Sequence, residues 1–426
     1  MSRSILPLIT VSTLITLPAT PEPLTLAEAI DRAIISAPGL ERAAAGLDAA
    51  EAGVGMARSE GGPQLGLRGE VGALQTDFTT DSISQVPRTI GLQGEWTVYA
   101  SGAIDASKSA SEFRRSAAEA QLLGAREQIV LDALEAYAVA WLAGETLRVA
   151  EERVANFRVR FEETTARFEQ GQLTRTDVAL TEARLASAEA ELEAARAGLV
   201  AAQARLKRLT SLERPEPAGQ PVLGPLVLAS HESALARSLD RNPNLAAARF
   251  AIDAAGARLE EAEARFGPKV SLRARASYGE DVFFFFEDPI ADVGAFVSVE
   301  LPLFTSGQRD ASERQARSNR VAVEADARLA RLRLEEAVAS LWYDIEARRS
   351  ALRAARRAER AAELAAEGTK REFDAGIRTL VDSLDAETSY QDARIATARA
   401  EVGLLLAKAR LLSLSADLEP AIDQAR

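Results

Sequence analysis

The stretch from Phe373 to Arg394, FDAGIRTLVDSLDAETSYQDAR, decides how the chain is read. Gly376 breaks a long helical pattern, Thr379 restarts it, and two carboxylates follow three residues apart, Asp382 and Asp385. The same layout stands earlier, in FEQGQLTRTDVALTEARLASAEA from Phe168. Gly171 corresponds to Gly376 (376 − 171 = 205) and Asp177 to Asp382 (382 − 177 = 205). Working outward, the same offset relates Pro38 to Pro243, Pro63 to Pro268 and Gly102 to Gly307. These are turn and cap residues, which need particular backbone geometry. Their agreement in one register predicts an internal two-fold repeat, each copy a large module.

Each copy opens with helices and passes into strands. Thr25 begins TLAE, a capping box with Glu28, and a helical pattern runs to Pro38; a second helix runs from about Gly39 to Ser59. Gly61, Gly62 and Pro63 end it, and the hydrophobic period switches to two. Leu65, Leu67 and Val71 point one way and Gln64, Arg68 and Glu70 the other. Ile90, Leu92, Trp96 and Val98 then oppose Gln93 and Glu95. In the second copy Val270, Leu272, Ala274, Ala276 and Tyr278 oppose Lys269, Ser271, Arg273, Arg275 and Ser277. Val297, Val299, Leu301 and Leu303 oppose Ser298 and Glu300. These runs predict antiparallel hairpins over about 64–99 and 269–304. The tips differ: the polar TTDSISQVP in the first, and EDVFFFFEDP with Phe283 to Phe286 in the second. Alternation over ~10 residues per strand is the weak signature of an outer-membrane barrel. Four strands cannot close a barrel alone, so two hairpins on a soluble core compete with that reading.

A long helix follows each hairpin, Ala103 to Glu169 and Gln308 to Asp374, 67 residues each and free of proline. At ~1.5 Å per residue each spans roughly 100 Å. Helices of this length need a coiled-coil partner. From Asp177 on, Leu185, Leu192, Leu199 and Leu206 fall seven apart, with Ala188, Ala195, Ala202 and Leu209 three residues later. Ala393, Ala400, Ala407 and Leu414 keep that seam in the second copy. Small residues at one seam position let helices approach closely. Each copy is therefore expected to hold a helical hairpin, about 103–211 and 308–415, turning at Gly171 or Gly376. The expected division is repeat 1 at 20–215, a proline-rich connector at 216–229 and repeat 2 at 230–426. His231 is expected as a solvated residue in a first helical turn.

Composition narrows the function. The chain has 426 residues, 47% hydrophobic but only 5% aromatic, which suits close-packed alanine-rich helices. A net charge of −12 makes the phosphate backbone of a nucleic acid an unsuitable partner. No cysteine and one histidine leave no disulfide, thiolate metal site, thiol nucleophile or histidine cluster, and no cofactor is expected. The N-terminus, with Arg3 before the apolar Ile5 to Leu17, reads as a signal peptide over 1–19. No later segment offers ~18 consecutive apolar residues, so no transmembrane helix is expected.

The duplicated NPNL and APGL segments, the GP-strand junctions, ELPLFTSGQRDA from Glu300 and above all GIRTLVDSLDAETSY from Gly376 resemble the TolC-like outer-membrane efflux family over nearly the whole mature chain. The resemblance implies a mainly α protein with a small β part. A homotrimer would share a twelve-strand β-barrel in outer-membrane lipid, four strands per chain, above a coiled-coil α-helical barrel spanning the periplasm. It would serve as the exit duct of a tripartite efflux pump or type I secretion system. Its tip, at Gly171 and Gly376, would dock a periplasmic adaptor (membrane fusion) protein and so reach an inner-membrane pump. Asp382 and Asp385 match the family's ring aspartates at that tip, and Thr176, Asp177 and Arg378 match its gate network. A family tyrosine corresponds to Phe373, which has no hydroxyl, so one gate link is expected to be missing.

Two other classes remain beside this one. A periplasmic coiled-coil adaptor needs only one helical hairpin, against the two expected here. For an enzyme, Asp382 and Asp385 would form an acid–base pair at i, i+3, but no histidine, cofactor loop or pocket pattern accompanies them. The plainer account of both aspartates is a solvated helix face.

Overall fold

The computed structural model describes residues 22–77, 82–224, 230–280, 282 and 288–424. The expected signal peptide and the Phe283–Phe286 run lie outside them. β1 (Glu22–Leu24) leads into α1 (Leu26–Ser36), which starts on the expected capping box. The Glu28 carboxylate accepts from the Thr25 N–H at 2.9 Å while Thr25 Oγ1 accepts from the Glu28 N–H. Pro38 occupies the first turn of α2 (Pro38–Ser59), where its missing N–H costs no hydrogen bond. Four strands follow: β2 (Gln64–Val71), β3 (Leu74–Asp77), β4 (Ser82–Gln85) and β5 (Arg88–Tyr99). Then come α3 (Ala103–Glu169), α4 (Arg175–Thr210) and the short β6 (Pro215–Pro217). The second half runs α5 (His231–Arg241), α6 (Pro243–Ala264), β7 (Lys269–Glu280), β8 (Ile290–Glu300), α7 (Gln308–Asp374), α8 (Leu380–Ser413) and α9 (Leu418–Asp423). Helix starts recur at one offset: 231 − 26, 243 − 38, 308 − 103 and 380 − 175 are all 205.

β2, β5, β7 and β8 form one open antiparallel sheet in that order, so the two sequence hairpins join at β5 and β7. The register carries the period-two pattern across all four strands. Leu67 pairs with Leu92, Leu92 with Ala276, and Ala276 with Val293. Trp96 pairs with Leu272, and Leu272 with Val297. That apolar face is open: Leu67 is 70% exposed, Val293 83% and Val297 71%. The other face carries Gln93, Glu95, Arg273 and Arg275, with a 2.8 Å ion pair from Arg275 to Asp292. Phe296 is an apolar residue on the polar face, and the Arg275 guanidinium lies 5.7 Å from its ring centre.

Below the sheet the chain becomes two helical hairpins, α3 with α4 and α7 with α8, and α3 also packs along α8. Ser101 and Gly102 take positive φ at the first strand-to-helix turn, and Ser306 and Gly307 do so at the second. The core is a ladder of small residues: Ala133, Ala136 and Ala140 of α3 are fully buried beside Leu134 and Leu206. Along α4 the seam residues Ala188, Leu192, Ala202 and Leu206 are buried, as the heptad spacing predicts. Among the described residues no helix is long and apolar enough to cross a membrane.

Two local expectations need correction, at the first hairpin tip and at His231. The first hairpin tip holds a ladder, β3 against β4, where a loop was expected. It keeps the register of β2 and β5, since 71 + 88 and 74 + 85 are both 159. The break between the two ladders falls at Pro87, which has no N–H to donate. The connector is anchored at its start: β6 pairs in parallel with β1, and the Tyr137 hydroxyl donates to the Gly219 carbonyl at 3.0 Å. His231 is half-buried rather than fully solvated. Its ring stacks on Tyr343 at 6.1 Å and meets Trp342 edge-on at 6.4 Å, because α5 packs on α7.

Candidate functional site

Each long helix stops on a glycine with positive φ, 73° at Gly171 and 74° at Gly376. The two turns share their hydrogen bonds. Gly171 N–H donates to the Phe168 carbonyl at 2.8 Å, and Gly376 N–H to the Phe373 carbonyl at 2.9 Å. Gln172 and Ile377 N–H reach back to Arg167 and Glu372 at 2.9 and 2.8 Å. A side chain at either glycine would be strained, so these positions end the helix for a backbone reason.

The returning helices start on twin caps. Thr174 Oγ1 donates to Asp177 Oδ2 at 2.8 Å and Thr379 Oγ1 to Asp382 Oδ2 at 2.7 Å, and each threonine N–H donates to the same carboxylate. The sequence signal for this, Thr-x-x-Asp before an apolar run, is present twice. Asp382 is therefore engaged as a cap within its own chain. The Thr379 hydroxyl and N–H hold its pKa below the usual aspartate value. In the single chain only desolvation acts against these hydrogen bonds, and Arg378 adds to their effect.

Asp385, one turn on, faces a cation that the sequence spacing did not point to. Arg184 Nη2 of α4 donates to Asp385 Oδ1 at 2.7 Å, a pair joining the two halves. The position 205 residues after Arg184 is Ser389 (184 + 205), so the basic group occurs in one copy only. A second cross-link missed from the sequence lies further along α3. The buried Arg153 donates to Gln391 at 2.7 Å, Asp392 at 2.6 Å and Glu191 at 2.5 Å, tying three long helices together. Its counterpart is Ala358 (153 + 205), and this asymmetry was a readable signal.

The remaining tip residues are dispersed. Thr176 is exposed at the start of α4. Arg378 Nε donates to Glu372 at 3.0 Å within its own turn. Phe373 is buried against Val154, Phe157, Leu380 and Leu384, and the Arg167 guanidinium sits 5.2 Å from its ring centre. Phe373 thus meets α3 through packing and a cation–π contact. The tip presents carboxylates held by caps and ion pairs.

An open sheet with one exposed apolar face, set on two long helical hairpins, is the architecture of outer-membrane channel proteins rather than of a soluble bundle. The chain belongs to the Outer membrane efflux protein family, whose model matches it twice, over residues 29–211 and 234–416. It is 26% identical over 399 residues to the outer membrane efflux protein BepC of Brucella suis, covering 91% of this chain and 84% of that one. It is 29% identical over 326 residues to the alkaline protease secretion protein AprF of Pseudomonas aeruginosa, covering 73% and 67%. Among solved structures the CmeC outer membrane channel of Campylobacter jejuni superposes with a TM-score of 0.80 at 16% identity, covering 98% and 94%.

Proposed function

We propose that the chain is a non-enzymatic outer-membrane exit duct, working with a tripartite efflux pump or a type I secretion system. Three copies join their four strands into one twelve-strand barrel, and their helical hairpins form a tunnel across the periplasm. The observation that carries this reading is the apolar face continuing in register through β2, β5, β7 and β8 while remaining exposed. A face of that size on a water-soluble protein would aggregate; in lipid it is the stable side. The open edges of β2 and β8 support closure with further copies, because unpaired backbone groups are not tolerated in hydrocarbon. The double family match supports two equivalent modules per chain.

The gate is proposed at the tip. Within one chain Arg378 is tied to Glu372, so its link to Thr176 or Asp177 runs to a neighbouring copy. Asp382 and Asp385 then ring the narrowest part of the lumen, and Gly171 and Gly376 shape the turns that meet the adaptor. The adaptor-protein alternative is disfavoured by the second hairpin and the exposed strands. Detergent extraction decides between them: the duct fractionates with outer membrane as a trimer, and recovery as a water-soluble monomer overturns it.

A further inference from the structure

Where α3, α6 and α7 meet, the helices line an open-mouthed cavity of about 530 Å³. Its wall is largely alanine, Ala254 and Ala316 among them. Three of its four charged groups are guanidiniums: Arg114 from α3, Arg258 from α6, and Arg265 just past the end of α6. The fourth is Glu261, and it is already engaged, accepting from Arg258 Nη1 at 2.7 Å. The Nε of Arg258 is buried and has no hydrogen-bond partner among the described residues. Burial and the neighbouring Arg258 together hold the pKa of Arg114 below the usual arginine value, the mark of two like charges sharing a partly dry space. The chain as a whole carries −12, so a cavity with three cations and one anion runs against the protein's overall charge.

The cavity also has a defined side. Glu261 and Arg265 line the adjoining hollow together with Gln64, Glu95 and Lys269. Gln64 and Glu95 are cross-strand partners on the polar face of the sheet. The cavity therefore adjoins a hollow that reaches the polar face of the sheet.

We propose that this cavity binds amphipathic organic anions, holding a sulfonate or carboxylate between Arg114 and Arg258 and the apolar body against the alanine wall. Guanidiniums suit this task because their paired N–H groups match the oxygens of such anions and stay charged when partly buried. The apolar wall supplies what a bare inorganic ion cannot use. That the cavity lines a lumen rests on the duct reading; the binding does not.

The test uses the full chain in a non-ionic detergent, with naphthalene-1-sulfonate as probe and titration calorimetry as readout. Naphthalene-1-methanol and inorganic sulfate serve as the neutral and the purely ionic comparisons. Naphthalene-1-sulfonate is expected to bind at least ten-fold more tightly than either, and more weakly as salt is raised. R114Q with R258Q should weaken it ten-fold or more, while R357Q on the exposed side of α7 leaves it unchanged. E261Q should strengthen it several-fold, because Arg258 loses its internal partner; a variant that gains affinity cannot be a folding failure. Sulfate binding as tightly as the aryl sulfonate, or the neutral alcohol binding as tightly with no effect of R114Q and R258Q, overturns the proposal. Conductance of the same protein in planar bilayers reports on the duct separately, so loss of one reading leaves the other measurable.

Discussion

The guanidinium of Arg184 on α4 lies 2.7 Å from the carboxylate of Asp385 on α8, joining residues 201 positions apart. Both side chains are about half exposed, at 40% and 54%, so the pair adds little to stability. Its consequence is electrostatic. One of the two aspartates proposed for the pore ring is paired with a cation in each chain.

Arg184→Gln should therefore free Asp385 and sharpen the response to cations. With a trivalent cation added from the tip side in bilayer recordings, the variant should block at lower concentration than wild type. Asp382→Ala with Asp385→Ala should abolish block and cation selectivity. If the double variant keeps both, the aspartates do not line the pore.

The gate prediction concerns Arg378 and Phe373. Arg378→Ser removes the proposed link to Thr176 or Asp177 of a neighbouring copy and should enlarge single-channel conductance. Phe373→Tyr places a hydroxyl near the tip and should lower it. An unchanged conductance in Arg378→Ser would show that this network does not close the duct.

The sheet prediction separates its faces. Lysine at Leu67, Leu92, Val270 or Val299 should each cost ~2–4 kcal/mol near mid-bilayer, read as heat stability of the trimer. Lysine at Gln93 or Ser298 should be mild. Equal tolerance on both faces would end the barrel reading.

The tip should be sensitive to acid through its caps. Asp382 has its pKa held down by Thr379, so its contribution is present above the ordinary aspartate range and is lost as pH falls through the lowered value. Thr379→Ala should cost ~0.5–2 kcal/mol, seen as faster hydrogen exchange at the start of α8. Asp382→Asn should flatten the acid dependence of that exchange; an unaltered profile would remove Asp382 as its source.

Alkali should loosen a different place. Burial pushes the Glu127 carboxyl up to about 7, with Glu419 and Asp417 adding repulsion against the Leu418 N–H and Arg126. Because the folded pKa lies above the unfolded one, stability is full below about 4.5 and falls as pH rises toward 7. Glu127→Gln should raise the melting temperature at pH 8, by of order 1–3 kcal/mol in stability. It should change little at pH 5. A gain at pH 5 equal to that at pH 8 would exclude titration of Glu127 as the cause.

What the sequence determined by itself is what depends on neighbours three or four residues away. The TLAE cap, the 67-residue helices and the glycine stops all follow from local backbone hydrogen bonds. The Thr-x-x-Asp pattern makes the caps at Asp177 and Asp382 equally legible. The two faces of the strands follow from period two, and the seam of α4 from its heptads. Only the tertiary structure decided that Arg184 meets Asp385, that Arg153 collects acceptors from α4 and α8, and that His231 packs on α7. Those contacts depend on how each helix is rotated about its axis and which helix lies beside it. Packing of many small side chains settles both at once, and no short stretch of sequence carries that information.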